Sequence, residues 1–428
     1  MKRIAMISVH TCPLAPLGGK ETGGMNVYIR DLSRELTRRG HYVDVFTRRQ
    51  NPKVAQVSHA LGARARVIHI PAGPEEPMDK NLVLRHVPSL VEQTLSFAQT
   101  EGLSYDLIHS HYWLSGAAAI ELRKAWQIPF VQMFHTLGHM KNSVAQSESE
   151  REGELRIAVE TEVMERADHL IAATPMERAQ MVWLYGADPH KISIVPCGVD
   201  INLFTPRPKA EARSALQLPA TRPIILFVGR IEPLKGIDTL IRAVGLLSQD
   251  TTPPDERPLA LIIGGGPQDV LPTNSQEMER LLILRESLGL TDQIIFLGSK
   301  PQTSLPLYYS AADVLVVPSH YESFGMVALE AMACGTPVIA SKVGGLALVV
   351  QEGRTGYLVP DRNPEQLADR ISAIFAQPEL TREISQRAVE WARQFRWPVI
   401  AQRVLEVYEE MIMPATAAGR TKLVCRCE

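Results

Sequence analysis

The chain lacks the features that mark secreted or membrane-spanning proteins. No uninterrupted apolar stretch in it approaches the roughly 20 residues needed to cross a bilayer. The apolar run that follows Met1-Lys2-Arg3 is broken by His10 and has no small-residue cleavage site after it, so it predicts a buried strand rather than a signal peptide. The cytoplasm is therefore the default location.

Cysteines are also few, and the net charge is small. Five cysteines are scattered over the chain, and only Cys425 and Cys427 stand close together, which gives neither a disulfide framework nor a zinc-ligand spacing. The formal net charge of −2 argues against a general nucleic-acid binder, so any phosphate recognition must be local. No short-period repeat is present. The sequence thus predicts no metal site and no required cofactor, and it leaves the oligomeric state open, a homodimer included.

What the chain does have is length and a regular alternation of elements. With 428 residues it exceeds the roughly 250 to 300 at which one core stops growing, so two domains are expected. Short apolar strands alternate with longer helical patterns, which predicts α/β domains with parallel sheets covered by helices on both faces. We predict strands at 4–9, 43–47, 67–70, 107–110, 130–134, 169–172, 192–195, 224–228, 259–263, 294–297, 314–318 and 338–340.

The pattern restarts after a stretch rich in proline and charge, and this places a domain boundary near residue 196. We predict an N-terminal domain over 1–195, a C-terminal domain over 196–397, a helix over 398–413 that packs back on the first domain, and a poorly structured tail over 414–428. Ligands of open α/β sheets bind outside the carboxyl ends of the strands. The cleft between the two domains is therefore the predicted active site.

Two glutamates eight residues apart, in the run ESFGMVALE, are the most informative feature. Glu322 is predicted to lie just before a helix and Glu330 inside it, with Gly325 where the helix begins. Free amides at a helix start suit a phosphate, and acids beside an anion site need another task, such as binding sugar hydroxyls. The combination points to a nucleotide sugar. The ordinary alternative is a solvated helix start with a stabilising acid.

Countercharge for such a phosphate stands in a second stretch, GRIEPLKG. Arg230 and Lys235 lie in a predicted strand-to-helix loop, where two cations can converge on one diphosphate. Taken singly, each would be an ordinary surface cation. The two stretches together favour the diphosphate interpretation.

Other candidates carry weaker signals. Gly23-Gly24 precede a predicted helix and permit close approach of a ligand, but their spacing is not the GxGxxG of dinucleotide sites. His135 follows a predicted strand and is placed to face the cleft, with Thr136 beside it, and Tyr112 stands in a similar position. An isolated histidine is more often structural. Lys80 and Arg156 lie in polar stretches where nothing local requires a cation, so they are surface residues by default. They become candidates to hold a phosphate if the acceptor is phosphorylated.

Taken together, these motifs resemble the retaining glycosyltransferases of family 4. The resemblance covers nearly the whole chain and rests on GGMNVY, HTLG, GRIEPLKG and ESFGMVALEAMACGTPVIAS followed by VGG. It implies the GT-B fold, in which two Rossmann-like doubly wound α/β domains face a cleft. The run SVHTCPLAPLGGKETGGMNVY and the HTLGHMKN run are similar to the branch of inositol-phosphate N-acetylglucosaminyltransferases of the mycothiol pathway and of sucrose-phosphate synthases. Met25, where sucrose-phosphate synthases usually carry Gln, favours the inositol-phosphate side.

The resemblance also implies roles for individual residues. Arg230 and Lys235 would bind the donor diphosphate, Glu330 the ribose, and Glu322 the sugar hydroxyls. His135, at the reaction centre, would act with these cations and Glu322 in catalysis. The implied donor site further includes Gly23, Gly24, Ser323, Phe324, Gly325 and Met326, and the implied acceptor site includes Asn26, Lys80, Tyr112, Thr136 and Arg156.

The implied activity is transfer of glucose or N-acetylglucosamine from a UDP-sugar to a phosphorylated acceptor, inositol phosphate or fructose 6-phosphate, with no metal and no nucleic-acid partner. Two rivals remain open. A lipid acceptor at a membrane surface would use the Arg-rich stretch over 34–49, which is also typical of a solvated helix and strand. The other rival is a non-catalytic nucleotide-sugar binding protein.

Overall fold

The first sheet of the molecule is built from the N-terminal half of the chain. The computed structural model describes residues 1–18, 22–248, 253, 256–266 and 276–412. Eight strands stand in the order β3-β4-β2-β1-β5-β6-β7-β8, all parallel to their neighbours except the short β3 at the edge. They are β1 (Arg3–Ile7), β2 (Tyr42–Arg48), β3 (Val57–Ser58), β4 (Ala65–Ile70), β5 (Leu107–His111), β6 (Phe130–Met133), β7 (His169–Ala172) and β8 (Ile192–Ile194).

Helices follow most of these strands, because a parallel connection needs a crossover. They are α1 (Gly24–Arg38), α2 (Lys80–Val83), α3 (Val87–Thr100), α4 (Trp113–Trp126), α5 (Gly138–Val144), α6 (Glu154–Arg166) and α7 (Pro175–Tyr185). The central strand β1 is buried from Ile4 to Ile7 and pairs β2 on one side and β5 on the other. Burial on both faces explains why these strands read as continuous apolar runs.

The second sheet has six strands, all parallel, in the order β11-β10-β9-β12-β13-β14. The strands are β9 (Ile224–Val228), β10 (Leu259–Ile263), β11 (Ile294–Phe296), β12 (Val314–Val317), β13 (Val338–Ser341) and β14 (Gly356–Val359). The helices are α8 (Lys209–Ala215), α9 (Ile237–Leu247), α10 (Gln276–Ser287), α11 (Leu305–Ala311), α12 (Met326–Ala333), α13 (Leu346–Val349), α14 (Pro364–Ala376), α15 (Pro378–Ala392) and α16 (Trp397–Ile412).

The last helix, α16, returns to the first sheet. The Arg39 guanidinium, just after α1, donates to the carbonyl oxygen of Pro398 at 2.5 Å and to Gln402 Oε1 at 2.7 Å. Deeper in, the Tyr408 hydroxyl and His109 Nδ1, on β5, are 2.6 Å apart. The helix occupies nearly the residues expected from the sequence.

Differences from the sequence prediction are local. Strands β3 and β14 were not predicted; β3 has only two residues, and β14 begins at a glycine. The stretch expected to be an irregular linker contains α8, which packs against α11. The predicted boundary near residue 196 falls just after β8, and the predicted tail over 414–428, with Cys425 and Cys427, lies outside the described residues.

Candidate active site

A cavity of about 300 Å³ lies where the carboxyl ends of the two sheets face each other. Loops after β1, β5 and β6 approach it from one side, and loops after β9, β12 and the start of α12 from the other. Nearly all the residues expected from the sequence line it: Gly23, Gly24, Asn26, Lys80, Tyr112, His135, Thr136, Arg230, Lys235, Glu322, Ser323, Phe324, Gly325, Met326 and Glu330. Fifteen of the predicted positions, distant in sequence, thus share one cavity.

The start of α12 forms one wall. Gly325 caps the helix with φ 102°, a left-handed conformation that favours glycine, and a Cβ there would stand 2.6 Å from Leu346 Cδ2. The hydrogen bond from Ala328 N to Gly325 O, at 3.0 Å, opens the first turn, so the amides of Met326 and Val327 precede the helical ladder at the cavity. The predicted helix start, with one acid before it and one inside, is present.

The VGG run explains how this loop keeps its shape. Gly345 N donates to Glu322 O at 2.9 Å, and a Cβ on Gly345 would come within 2.3 Å of Phe324 Cα. A Cβ on Gly344 would come within 2.1 Å of Glu322 O. Only glycine permits this backbone contact, so the pair supports the helix start from behind.

Arg230 and Lys235, the two cations predicted to bind the donor diphosphate, line the same cavity, each beside an acid. Lys235 Nζ is 2.6 Å from Glu322 Oε2, and Arg230 pairs with Glu232 at 2.8 Å. Gly236, the residue after Lys235, has φ 62°, and a Cβ there would lie 2.1 Å from Pro318 O. The loop after β9 therefore packs against the end of β12, and this brings Lys235 to Glu322 across 87 residues of chain.

Glu330 is buried, and among the described residues it forms no salt bridge. Its carboxylate accepts hydrogen bonds from the Tyr309 hydroxyl at 2.9 Å and from Gln302 Nε2 at 3.1 Å. Burial raises the pKa of Glu330 to about 7 despite these donors. Gln302 also accepts from Arg30, on α1, at 2.5 Å, so it links the first half of the molecule to this acid. Sequence reasoning missed Gln302, because a lone glutamine carries no signal.

His135 stands in the cavity with an unusual backbone. Its φ is 63°, and its carbonyl oxygen accepts a hydrogen bond from the Ser323 hydroxyl of the facing loop. His135 Nε2 lies 3.1 Å from Nδ1 of the buried His111, and the Tyr28 ring packs edge-on at 5.2 Å. Burial lowers the pKa of His135 to about 3, so the imidazole is neutral at physiological pH.

The part of the cavity wall that contains Tyr112 and Thr136 is backed by a buried ion network. Arg156 does not reach the cavity surface; it is 1% exposed and pairs with Glu160 at 2.7 Å. It also donates to the Tyr112 hydroxyl at 3.0 Å and to Thr136 Oγ1 at 3.2 Å, both of which line the cavity. Tyr112 itself has φ 77°. The surface-residue alternative for Arg156 is therefore wrong.

Lys80 is likewise no free surface residue. Its ammonium lies 2.7 Å from Glu152 Oε1, and its side chain is 18% exposed at the cavity wall. Two further residues of this wall, His10 and Lys141, escaped sequence reasoning, although Lys141 belongs to the HTLGHMKN run. Burial, followed by the charges of Lys80 and Arg156, lowers the pKa of His10 to about 3. The imidazole of His10 is therefore neutral at physiological pH, although cations lie near it.

In the Arg-rich stretch over 34–49, fewer arginines are available to a membrane surface than the composition indicates. Arg48 is buried and donates to the carbonyl oxygens of Pro74 and Glu76, and Arg34 and Arg38, on α1, pair with acids one turn away. Among the described residues no helix is long and apolar enough to traverse a bilayer. Over the same residues no group of three or more histidine, cysteine or acidic side chains is arranged to hold a metal ion.

The molecule has two parallel β-sheets covered by helices, and the carboxyl ends of their strands face each other across one cavity. Cations and helix-start amides line that cavity. This arrangement is that of a glycosyltransferase of the GT-B fold. The fold is that of solved glycosyltransferase structures. Sucrose-phosphate synthase from Thermosynechococcus elongatus superimposes with a TM-score of 0.87 at 36% identity, covering 96% of this chain and 99% of that one. The Anabaena protein HepE in complex with UDP-glucose, at 22% identity, shares the fold with a TM-score of 0.74 over 96% of this chain and 100% of its own.

Sequence comparison gives the family. The pattern described as Glycosyltransferase Family 4 matches residues 22–203, and that described as Glycosyl transferases group 1 matches residues 208–391. D-inositol 3-phosphate glycosyltransferase of Corynebacterium efficiens is 41% identical over 412 residues, which are 95% of each chain. The chain belongs to this family of glycosyltransferases, as its motifs indicate.

Proposed function

We propose that this protein is a retaining glycosyltransferase that moves glucose or N-acetylglucosamine from a UDP-sugar to a phosphorylated sugar or polyol. The observation that carries the proposal is the shared cavity. It has Arg230, Lys235 and the amides before α12 on one wall, and Lys80 on the other. Two separate basic walls suit two separate anions, a diphosphate and a phosphate monoester. The names of the relatives agree with this pairing.

The donor side follows from the same geometry. The diphosphate is held by Arg230, Lys235 and the helix-start amides, which are aimed at the negative charge that develops as the glycosidic bond breaks. Glu330 accepts hydrogen bonds from the ribose, and Glu322 from the sugar. Gly23 and Gly24 lie over this site: a Cβ on Gly24 would be 3.3 Å from Met326 Sδ. Their lack of side chains leaves room for the phosphates.

The acceptor attacks from the face that the diphosphate leaves, so the anomeric configuration is retained. The departing phosphate oxygen takes the proton of the attacking hydroxyl, and the neutral His135 donates or accepts a hydrogen bond beside the sugar without itself carrying charge. No residue is asked to form a covalent bond to the sugar. Closure of the two halves excludes water and limits hydrolysis of the donor. No metal takes part in these steps.

The test is a substrate screen that reads released UDP. UDP-glucose and UDP-N-acetylglucosamine are each combined with inositol 3-phosphate, fructose 6-phosphate and the two unphosphorylated acceptors, with and without chelator. We expect transfer to a phosphorylated acceptor that persists in chelator, and an α-linked product by NMR. A β-linked product, strict dependence on added divalent ion, or donor binding without turnover would each contradict the part of the proposal that it addresses.

A further inference from the structure

One carboxylate oxygen collects three cations behind the acceptor wall. Glu152 Oε1 accepts hydrogen bonds from Lys80 Nζ at 2.7 Å and from Lys141 Nζ, and the Arg156 guanidinium forms an ion pair with the same oxygen at 2.9 Å. These cations come from α2, α6 and α5, three elements that are separate in sequence. Glu152 itself is fixed by Asn142: its amide donates to Asn142 Oδ1 at 2.7 Å, and Asn142 Nδ2 donates to its carbonyl at 3.0 Å. The carboxylate is therefore a fixed point around which the cations are arranged.

Two of the three cations face the cavity while their acid does not. Lys80 and Lys141 line the cavity, whereas the Glu152 carboxyl is 5% exposed and stands behind them. An ammonium has three N–H donors, so each lysine keeps donors for a second acceptor after serving Glu152. Arg156 is buried behind the lysines, where it pairs with both Glu152 and Glu160 and donates to the Tyr112 hydroxyl.

The charge of the cluster fits a phosphate. The three cations outnumber the two carboxylates of Glu152 and Glu160, so the cluster keeps a formal positive charge that can attract an anion. Burial opposes ionisation of Glu152, but the charges of Arg156, Lys141 and Lys80 prevail and lower its pKa to about 2. The acid is thus charged at any working pH, and it holds two ammonium groups side by side that would otherwise repel each other.

We propose that Glu152 is a positioning residue that preforms a two-lysine clamp, and that Lys141 joins Lys80 as a ligand of the acceptor's phosphate. This inference rests on the proposed function, since it presumes a phosphorylated acceptor. The proposal predicts that an acid beside an anion site strengthens binding of the anion. Simple Coulomb repulsion requires that an acid beside an anion site weakens binding, whereas a positioning acid strengthens it, because the ammonium groups are ordered before the phosphate arrives.

The experiment measures the KM of the phosphorylated acceptor in Glu152→Gln, which is nearly isosteric and removes the charge. We expect KM to rise about tenfold while kcat changes little, because the two ammonium groups are no longer ordered before the phosphate binds. The matched control is Glu148→Gln, the same change four residues earlier at a side chain that is 89% exposed, and its KM should stay unchanged. A KM that falls or stays constant in Glu152→Gln would overturn the proposal.

A second variant keeps the test decisive if Glu152→Gln folds poorly. Lys141→Met leaves Glu152 with Lys80 and Arg156, and it should also raise the acceptor KM about tenfold without changing the KM of the UDP-sugar. An unchanged acceptor KM would remove Lys141 from the site. The proposed function is read separately, on the unmodified enzyme: if it uses phosphorylated and unphosphorylated acceptors equally well, the phosphate site fails and the clamp with it.

Discussion

Two buried glutamates, one on each side of the cavity, have pKa values that are shifted in opposite directions. Glu330 and Glu152 are about equally buried, with 6% and 7% of their surface exposed. Yet the pKa of Glu330 is raised to about 7, and that of Glu152 is lowered to about 2. The hydrogen-bond donors to Glu330 are neutral, whereas Glu152 has three cations beside it. Burial is the largest influence on the pKa of Glu330, whereas at Glu152 the neighbouring cations together outweigh it.

The difference extends to the two walls as wholes. On the donor side each cation pairs with an acid of the described part of the chain and stays partly exposed: Lys235 keeps 17% of its side chain accessible and Arg230 keeps 33%. On the acceptor side the charges form a network whose centre is buried. In the proposed function, Arg230 and Lys235 meet the negative charge that develops on the substrate. The acceptor-side network is placed to hold a geometry, and changes to it should affect stability and KM before kcat.

The largest effect expected from this comparison is on kcat at the donor wall. Lys235→Ala should lower kcat on the order of a thousandfold, because a preorganised cation beside the leaving diphosphate is lost. The KM of the acceptor should change much less. Lys124→Ala, at a lysine whose side chain is 55% exposed on α4, is the control and should behave as the unmodified enzyme. A decrease of less than tenfold in Lys235→Ala would remove this residue from the leaving-group site.

The sequence was sufficient for the donor wall because its residues stand in short runs with local meaning. Glu322, Gly325 and Glu330 share one loop and helix, so their spacing fixed their relative positions before any tertiary contact was known. Strands β9 and β10 were predicted to the residue, since their apolar runs end at glycine or charge. The contact of Gly344 and Gly345 with the helix start could not be predicted, because it depends on how two loops pack.

The acceptor wall was harder to predict from the sequence, because it too depends on how segments distant in sequence pack together. Glu152, which joins three cations, stands in a polar run that is typical of a solvated loop. Nothing in that run shows that Lys80, 72 residues earlier, lies beside it. Lys80 and Arg156 were candidates only on the condition that the acceptor is phosphorylated, and their roles as acceptor ligands stay predictions. A buried ion network depends on tertiary structure and has no spacing of its own.

A smaller effect, on stability, should distinguish the acceptor network from ordinary ion pairs. Arg156→Met should lower the free energy of unfolding by about 3 kcal/mol, because it leaves the fully buried Glu160 without its charge partner. The same helix supplies the control: Arg166 and Glu162 form an i,i+4 pair at about half exposure, and Arg166→Met should cost less than about 0.5 kcal/mol. Urea unfolding of both variants measures the difference. Equal losses would show that burial of the network contributes nothing.

The smallest effect tests the opening comparison through pH. The folded pKa of Glu330 lies above the ordinary value of 4.5, so the folded state binds its proton more tightly. The associated stability is full below about pH 4.5 and is lost as pH rises through about 7. Glu330→Gln cannot titrate. The unmodified protein should therefore lose about 1 kcal/mol of unfolding free energy relative to this variant between pH 6 and 7.

The difference between the two proteins isolates Glu330. Glu177, whose pKa burial also raises to about 7, titrates in both of them and cancels. The measurement is urea unfolding at several pH values without nucleotide. A flat difference would mean that the hydrogen bonds from Tyr309 and Gln302 suffice to keep the carboxylate ionised when it is buried. In that case neutral donors would stabilise the ionised carboxylate of Glu330, as three cations stabilise that of Glu152. Both acids would then be ionised, and the two walls would differ only in where their charges lie.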